Sequence, residues 1–196
     1  LFVLFGSFLL HSGVGDVFTK LVTGLTGKYR GGPAKVAIFS SGLFGSISGS
    51  ASSNVVTTGS FTIPLMKSVG YSPTYSAAIE TAASIGGLFM PPIMGSGGFL
   101  MAQILGVPYL EVIKAAFIPA ILYYFALYIL IDFEALRLNL QGMAKELLPD
   151  VREVLRSSWH LLIPFFALLY LLIIERQSAV RAAIWSIGFT IIIPQL

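Results

Sequence analysis

Gly45 to Ser60 read GSISGSASSNVVTTGS, sixteen residues that hold six serines, three glycines, two threonines and an asparagine. They separate two apolar arms, VAIFSSGLF (36–44) and FTIPLM (61–66). As one straight helix, 36–66 would be about 46 Å long at 1.5 Å per residue, against a hydrocarbon core of about 30 Å. Its polar middle would then lie at the bilayer centre. Two half-helices, 34–46 and 54–66, each about 20 Å long, instead reach the middle and return. Irregular backbone at that depth is tolerated only inside protein or beside a water-filled cavity, so the stretch predicts a re-entrant hairpin with a polar tip.

Lipid is the expected solvent because 56% of the 196 residues are hydrophobic and only 11% are charged, where soluble domains carry about a quarter charged. The absence of cysteine excludes disulfides, a thiol nucleophile and thiolate metal sites. The basic residues are scattered, with no aromatic platform among them, which excludes nucleic acid as a partner. Their distribution also tests the hairpin, because positive charge in short loops favours the cytoplasmic side. If 34–66 is re-entrant, Lys20, Lys28, Arg30, Lys35, Lys67, Arg137, Lys145, Arg152 and Arg156 share one side, and Lys114, Arg176 and Arg181 the other. A full crossing changes nine against three to seven against five. The charge count therefore puts both ends of the hairpin in the cytoplasm.

Other segments follow from periodicity. Residues 1–33 read as the end of a transmembrane helix, an interfacial helix over 14–27 and a basic cytoplasmic turn. Val14, Val17, Phe18, Leu21, Val22 and Leu25 form the apolar face of that helix. Residues 74–104 read as a discontinuous transmembrane helix, 112–131 as a full span, 132–157 as a charged cytoplasmic segment, 158–174 as a span and 182–196 as the start of another. Apolar runs at both termini read as an internal piece of a larger protein, cut within helices. The fold class is all-α integral membrane, with one re-entrant hairpin and one discontinuous helix.

The candidate site is the hairpin tip together with the second break. Ser48, Gly49, Ser50, Ser53, Asn54, Thr57 and Thr58 offer carbonyl, hydroxyl and amide oxygens, the neutral donors a hard cation takes. Pro91 and Pro92 interrupt the next span, with Gly86 and Gly87 just before them. Ends of broken helices at one depth are what transporters use to hold ions. Glu80 is the one acidic residue well inside an apolar run, a candidate coupling carboxylate or, equally, a shallow residue that snorkels to the interface. Two other readings compete for the tip. Gly45 and Gly49 form a GxxxG packing motif, and an ion channel or structural subunit would need nothing more. A catalytic serine at Ser48 lacks the G-x-S-x-G elbow, and His11 and His160 lie in other segments, so the chain reads as no enzyme.

The run FGSISGSASSNVVTTGSFTIPLMKSVGYSP, followed by AAIETAASIGGLFMPP, resembles the large membrane subunit (DctM-like) of tripartite ATP-independent periplasmic, or TRAP, transporters. The matching elements are G-S-I-S-G-S at 45–50, G-S-x-x-I-P-x-M-K at 59–67, G-Y at 70–71 and P-P at 91–92. The resemblance covers 1–131 and continues weakly to 196. The tip and the G-G-L-F-M-P-P break look most like the fused four-plus-twelve-helix proteins that work with TAXI-type binding proteins. Residues 132–157 are longer than the family's unfused subunits lead one to expect.

The family implies a secondary transporter of elevator type in a bacterial or archaeal cytoplasmic membrane. An extracytoplasmic binding protein delivers a small organic anion, usually a carboxylate. The coupling ion is sodium, with a proton as the alternative, and there is no other cofactor. This chain supplies the first of two inverted halves, so the remainder of the transporter chain is itself a partner.

Overall fold

The computed structural model describes residues 2–175, 177 and 179–192, and these contain helices and no strand. In chain order they are α1 (Phe2–His11), α2 (Val14–Thr26), α3 (Gly32–Ser48), α4 (Ala51–Ser68), α5 (Pro73–Gly87), α6 (Gly95–Leu105), α7 (Tyr109–Arg137), a 3₁₀ turn (Lys145–Leu147), α8 (Val151–Ile173) and α9 (Ala179–Ile192). α7 and the run Lys145–Ile173 are long and apolar enough to cross a bilayer. Arg176 and residues 193–196, part of the expected loop and of the expected last span, lie outside the described residues.

The hairpin is present, with longer arms and a shorter tip than the sequence suggests. α3 and α4 have 17 and 18 residues, and only Gly49 and Ser50 lie between them. Gly49 takes a left-handed backbone (φ 63°), which costs glycine no steric strain. Ser50 is extended and caps α4 by accepting the Ser53 N–H at 3.3 Å. Of the tip expected over 47–53, Ile47, Ser48, Ala51, Ser52 and Ser53 are helical instead. Along α4, Thr57 donates its hydroxyl to the Ser53 carbonyl at 2.8 Å and Ser60 to the Thr57 carbonyl at 2.7 Å. Hydroxyls satisfied on their own helix in this way need no loop.

The charged segment is also shorter than expected. Residues 132–137 continue α7 and 151–157 begin α8, leaving 138–150 as the connection. The span expected over 112–131 accordingly runs from 109 to 137. Pro64, Pro119 and Pro164 sit inside helices without ending them. On α2, Val14, Val17, Phe18 and Val22 are buried, whereas Leu25 is exposed. The apolar face of α2 packs on protein, with Phe18 edge-on to Phe165 of α8 at 5.5 Å.

Among the described residues, three cores hold the helices together. One gathers Phe5, Leu9, Val14, Phe18, Leu162, Leu168 and Ala182, from α1, α2, α8 and α9. A small one gathers Met94, Ala102, Val112 and Ile113, where α6 meets α7. Another gathers Ala34, Ile38, Met66, Tyr71, Ala83, Tyr124, Ile131 and Leu140, from α3, α4, α5, α7 and adjoining turns. Ala34 at the start of α3 and Met66 at the end of α4 share this last core, so the two outer ends of the hairpin come to one end of the molecule. The Met143 N–H donates to the Gly27 carbonyl at 2.9 Å and adds the connection after α7 to that same end.

Candidate functional site

The two helix breaks touch. A Cβ on Gly45 would lie 2.9 Å from Gly87 Cα, and one on Gly49 would lie 2.5 Å from Gly95 Cα. Real Cβ contacts are not that short, so only glycine allows α3 to meet the end of α5 and the hairpin tip to meet the start of α6. The GxxxG glycines thus face the broken helix. Four helix ends converge here: the C-termini of α3 (Ser48) and α5 (Gly87), and the N-termini of α4 (Ala51) and α6 (Gly95). Free carbonyls at the first pair favour cations, and free N–H groups at the second favour anions.

The expected site residues divide into three groups. Ser48, Ser50, Ser53, Thr57 and Thr58 line an open cavity of about 920 Å³. Gly49, Asn54 and Gly87 lie behind it in the close-packed layer between the breaks. Asn54 is fully buried, and its amide nitrogen donates to the Ser41 carbonyl at 2.8 Å. Gly86, Pro91 and Pro92 face elsewhere. Gly86 packs under the Tyr123 and Tyr124 rings of α7. The Pro91–Pro92 bond is cis, and the Pro92 carbonyl accepts from the Tyr109 hydroxyl at 2.9 Å.

Glu80 does not snorkel. It is fully buried, between α5 and both arms of the hairpin. Its Oε1 accepts from Ser41 Oγ at 2.6 Å and Thr58 Oγ1 at 2.5 Å, and from Ser84 Oγ at 3.3 Å. Its Oε2 accepts from Thr62 Oγ1 at 2.5 Å. A carboxylate sealed from water needs such donors. By helical rise it stands about 10 Å below Gly87, so it touches the site only through Ser41 and Thr58.

Several groups here gave no isolated signal in the sequence. Ser41, Thr62 and Ser84 surround Glu80, although the i, i+4 pairs Thr58/Thr62 and Glu80/Ser84 mark two facing helix sides. Tyr123 and Tyr124 donate to the Ala82 and Ala83 carbonyls at 2.9 and 2.7 Å, which ties α7 to the last turn of α5. Opposite the α4 hydroxyls, the cavity is walled by His11, Asp16 and Lys20. The side chains of Asp16 and Lys20 make no ion pair or hydrogen bond with other described residues. His11 places Nδ1 2.7 Å from the Ser7 carbonyl, and among the described residues no histidine ring nitrogen pairs with a serine hydroxyl.

Sequence comparison adds to this geometry. The family model for the DctM component of tripartite ATP-independent periplasmic transporters matches residues 1–196. An uncharacterized protein, YgiK, of Salmonella typhimurium is 34% identical over 122 residues, 59% of this chain and 28% of its own length. The C4-dicarboxylate TRAP transporter large permease protein DctM of Rhodobacter capsulatus is 32% identical over 91 residues, 46% of this chain and 21% of its own. The ectoine TRAP transporter large permease protein TeaC of Halomonas elongata is 28% identical over 195 residues, 98% of this chain and 39% of its own. The chain thus spans well under half the length of these curated relatives. Its helical fold, its two membrane-length helices and the full-length family match together place the chain in the DctM component family of TRAP transporters, which are membrane permeases and not enzymes.

Proposed function

We propose that this chain is half of the permease of a secondary transporter that moves small organic anions inward by an elevator mechanism, driven by a sodium gradient. An extracytoplasmic binding protein delivers the substrate, and the membrane is the bacterial or archaeal cytoplasmic membrane. The observation that carries this reading is the meeting of four helix ends at Gly45/Gly87 and Gly49/Gly95. Two C-terminal ends beside neutral oxygens suit a monovalent cation. Two N-terminal ends suit a carboxylate, each contributing about 0.3–1 kcal/mol and up to about 2 when partly buried.

The cation is transported cargo. Ser48, Ser50, Ser53, Asn54, Thr57 and Thr58 would hold it, together with backbone oxygens near Gly49, Gly86 and Gly87. The adjoining cavity is where the substrate passes, and Lys20 supplies a cation for its carboxylate. Two of the named relatives carry a C4-dicarboxylate and ectoine in their names, which supports an organic solute with a carboxylate. The two hairpin ends lying together and the charge asymmetry support re-entrance of α3–α4.

The test uses the full-length transporter in proteoliposomes with its binding protein. Uptake is expected to saturate with substrate and to require both the binding protein and a sodium gradient. Asn54→Leu should raise the half-saturating sodium concentration at least tenfold. Flux that rises without saturation and ignores the binding protein would instead establish a channel.

A further inference from the structure

Glu80 sits where the hairpin and α5 come together, yet it does not reach the cavity. What it does reach is Ser41, and Ser41 is held at both of its ends. Its hydroxyl donates to Glu80 Oε1 at 2.6 Å, and its carbonyl accepts the Asn54 amide nitrogen at 2.8 Å. That second bond fixes the amide orientation, because only the NH₂ can donate to a carbonyl. Asn54 Oδ1 is therefore turned the other way, toward Thr58 Oγ1 at 3.3 Å.

Thr58 has one hydroxyl hydrogen and four acceptors in reach. They are Glu80 Oε1 at 2.5 Å, the Asn54 carbonyl at 2.8 Å, Ser41 Oγ at 2.9 Å and Asn54 Oδ1 at 3.3 Å. Glu80 offers the shortest contact and draws the hydrogen away from the amide oxygen. One oxygen, Oε1, thus gathers hydroxyls from α3 and α4 on an acceptor carried by α5, and it leaves Asn54 Oδ1 with free lone pairs. Among the described residues, the other oxygen is served by Thr62 alone.

We propose that Glu80 is a positioning residue for the cation site: as a hydrogen-bond acceptor at Oε1 it locks Ser41 and Thr58, and through them it holds the Asn54 amide oxygen free for the ion. This rests on the reading of Asn54 as a cation ligand. It assigns Glu80 a part different from that of a carboxylate whose charge is coupled to transport, and the two parts separate under substitution. Glutamine keeps a carbonyl oxygen for Ser41 and Thr58 when its NH₂ faces Thr62, whose own hydrogen then passes to the Thr58 carbonyl 2.9 Å away. Methionine fills the space and accepts nothing of comparable strength.

The experiment measures sodium-dependent uptake by the full-length transporter in proteoliposomes with its binding protein. Glu80→Gln should keep the half-saturating sodium concentration within about threefold of the wild type, with the same sodium-to-substrate stoichiometry. Glu80→Met should raise it tenfold or more. Should Glu80→Met fail to insert, Ser41→Ala and Thr62→Val give the same contrast. Ser41→Ala should raise it several-fold, and Thr62→Val, which meets the Glu80 carboxylate at Oε2 and not at Oε1, should leave it unchanged. Equal damage from Gln and Met would show that charge matters and would overturn the proposal, as would Ser41→Ala and Thr62→Val behaving alike. Failure of the underlying reading looks different, because Asn54→Leu would then leave sodium affinity intact in the wild-type background.

Discussion

Lys35 and Asp132 are 97 residues apart in sequence, and the Lys35 ammonium lies 2.6 Å from Asp132 Oδ1. The Lys35 side chain is 3% exposed and that of Asp132 30%. The ammonium also lies 4.4 Å from the centre of the Tyr128 ring. The first turn of the hairpin is thereby fastened to the end of α7, and Arg30 adds an exposed contact to the same carboxylate at 3.1 Å. Removing one partner of a buried pair typically costs about 3–5 kcal/mol. Asp132 is partly wet, so Asp132→Asn should cost on the order of 2 kcal/mol, read as a lower thermal midpoint of the purified transporter in detergent. Adding Lys35→Met should recover most of the loss, because the stranded cation is then gone.

Burial of Lys35 also decides how topology is measured. Tyr29 and Ser68 flank the two ends of the hairpin, and both are exposed. Single cysteines there, in an otherwise cysteine-free full-length transporter, should both react with an impermeant maleimide from the cytoplasmic side only. A cysteine at Lys35 should react slowly from either side. Labelling of Tyr29→Cys and Ser68→Cys from opposite sides would exclude a re-entrant hairpin.

Tyr71 carries a buried hydroxyl with no hydrogen-bond partner among the described residues, beside Gly31 and Ala135. Burial, with Tyr75, Glu134 and Asp132 nearby, pushes its phenol up. An unsatisfied buried hydroxyl costs about 1–3 kcal/mol relative to a paired one. Tyr71→Phe keeps the ring stacked on Tyr75 at 5.8 Å and should raise stability by up to about 1 kcal/mol, with uptake unchanged. A marked loss of stability would mean that the hydroxyl is satisfied after all.

Much of this architecture was legible in the sequence because backbone breakers announce themselves. Gly49 and the Pro91–Pro92 pair lie at or beside the two interruptions. The extent of each break was harder to read. Polarity suggested a tip over 47–53, but α3 runs on through Ser48 and the Ser50 side chain caps α4 from Ala51, so the two helices end within two residues of each other. Pairings across the fold left no trace of their own. The donors to Glu80 come from 18, 22 and 39 residues away, and nothing local distinguishes Lys35 from an exposed basic residue. The contact of Gly45 with Gly87 was readable only as two small-residue motifs, whose common depth the fold supplies.

That contact gives the sharpest separation between a binding site and simple helix packing. A Cβ on Gly87 would lie 2.6 Å from Gly45 Cα, with the Ser41 carbonyl oxygen at 3.2 Å, so Gly87→Ala must push α3 from α5. Overpacking of this kind costs about 1–3 kcal/mol, little enough for a full-length transporter to insert and bind its partner protein. The displacement falls on the carbonyl that holds Asn54, so the half-saturating sodium concentration should rise at least tenfold. Gly97, two residues into α6, is the control because nothing lies within 4 Å of its added Cβ. Gly97→Ala should transport normally, and its helix gains up to about 1 kcal/mol from the better helix former. If Gly87→Ala lowers only the thermal midpoint and leaves sodium affinity untouched, the small residues between the breaks serve packing alone.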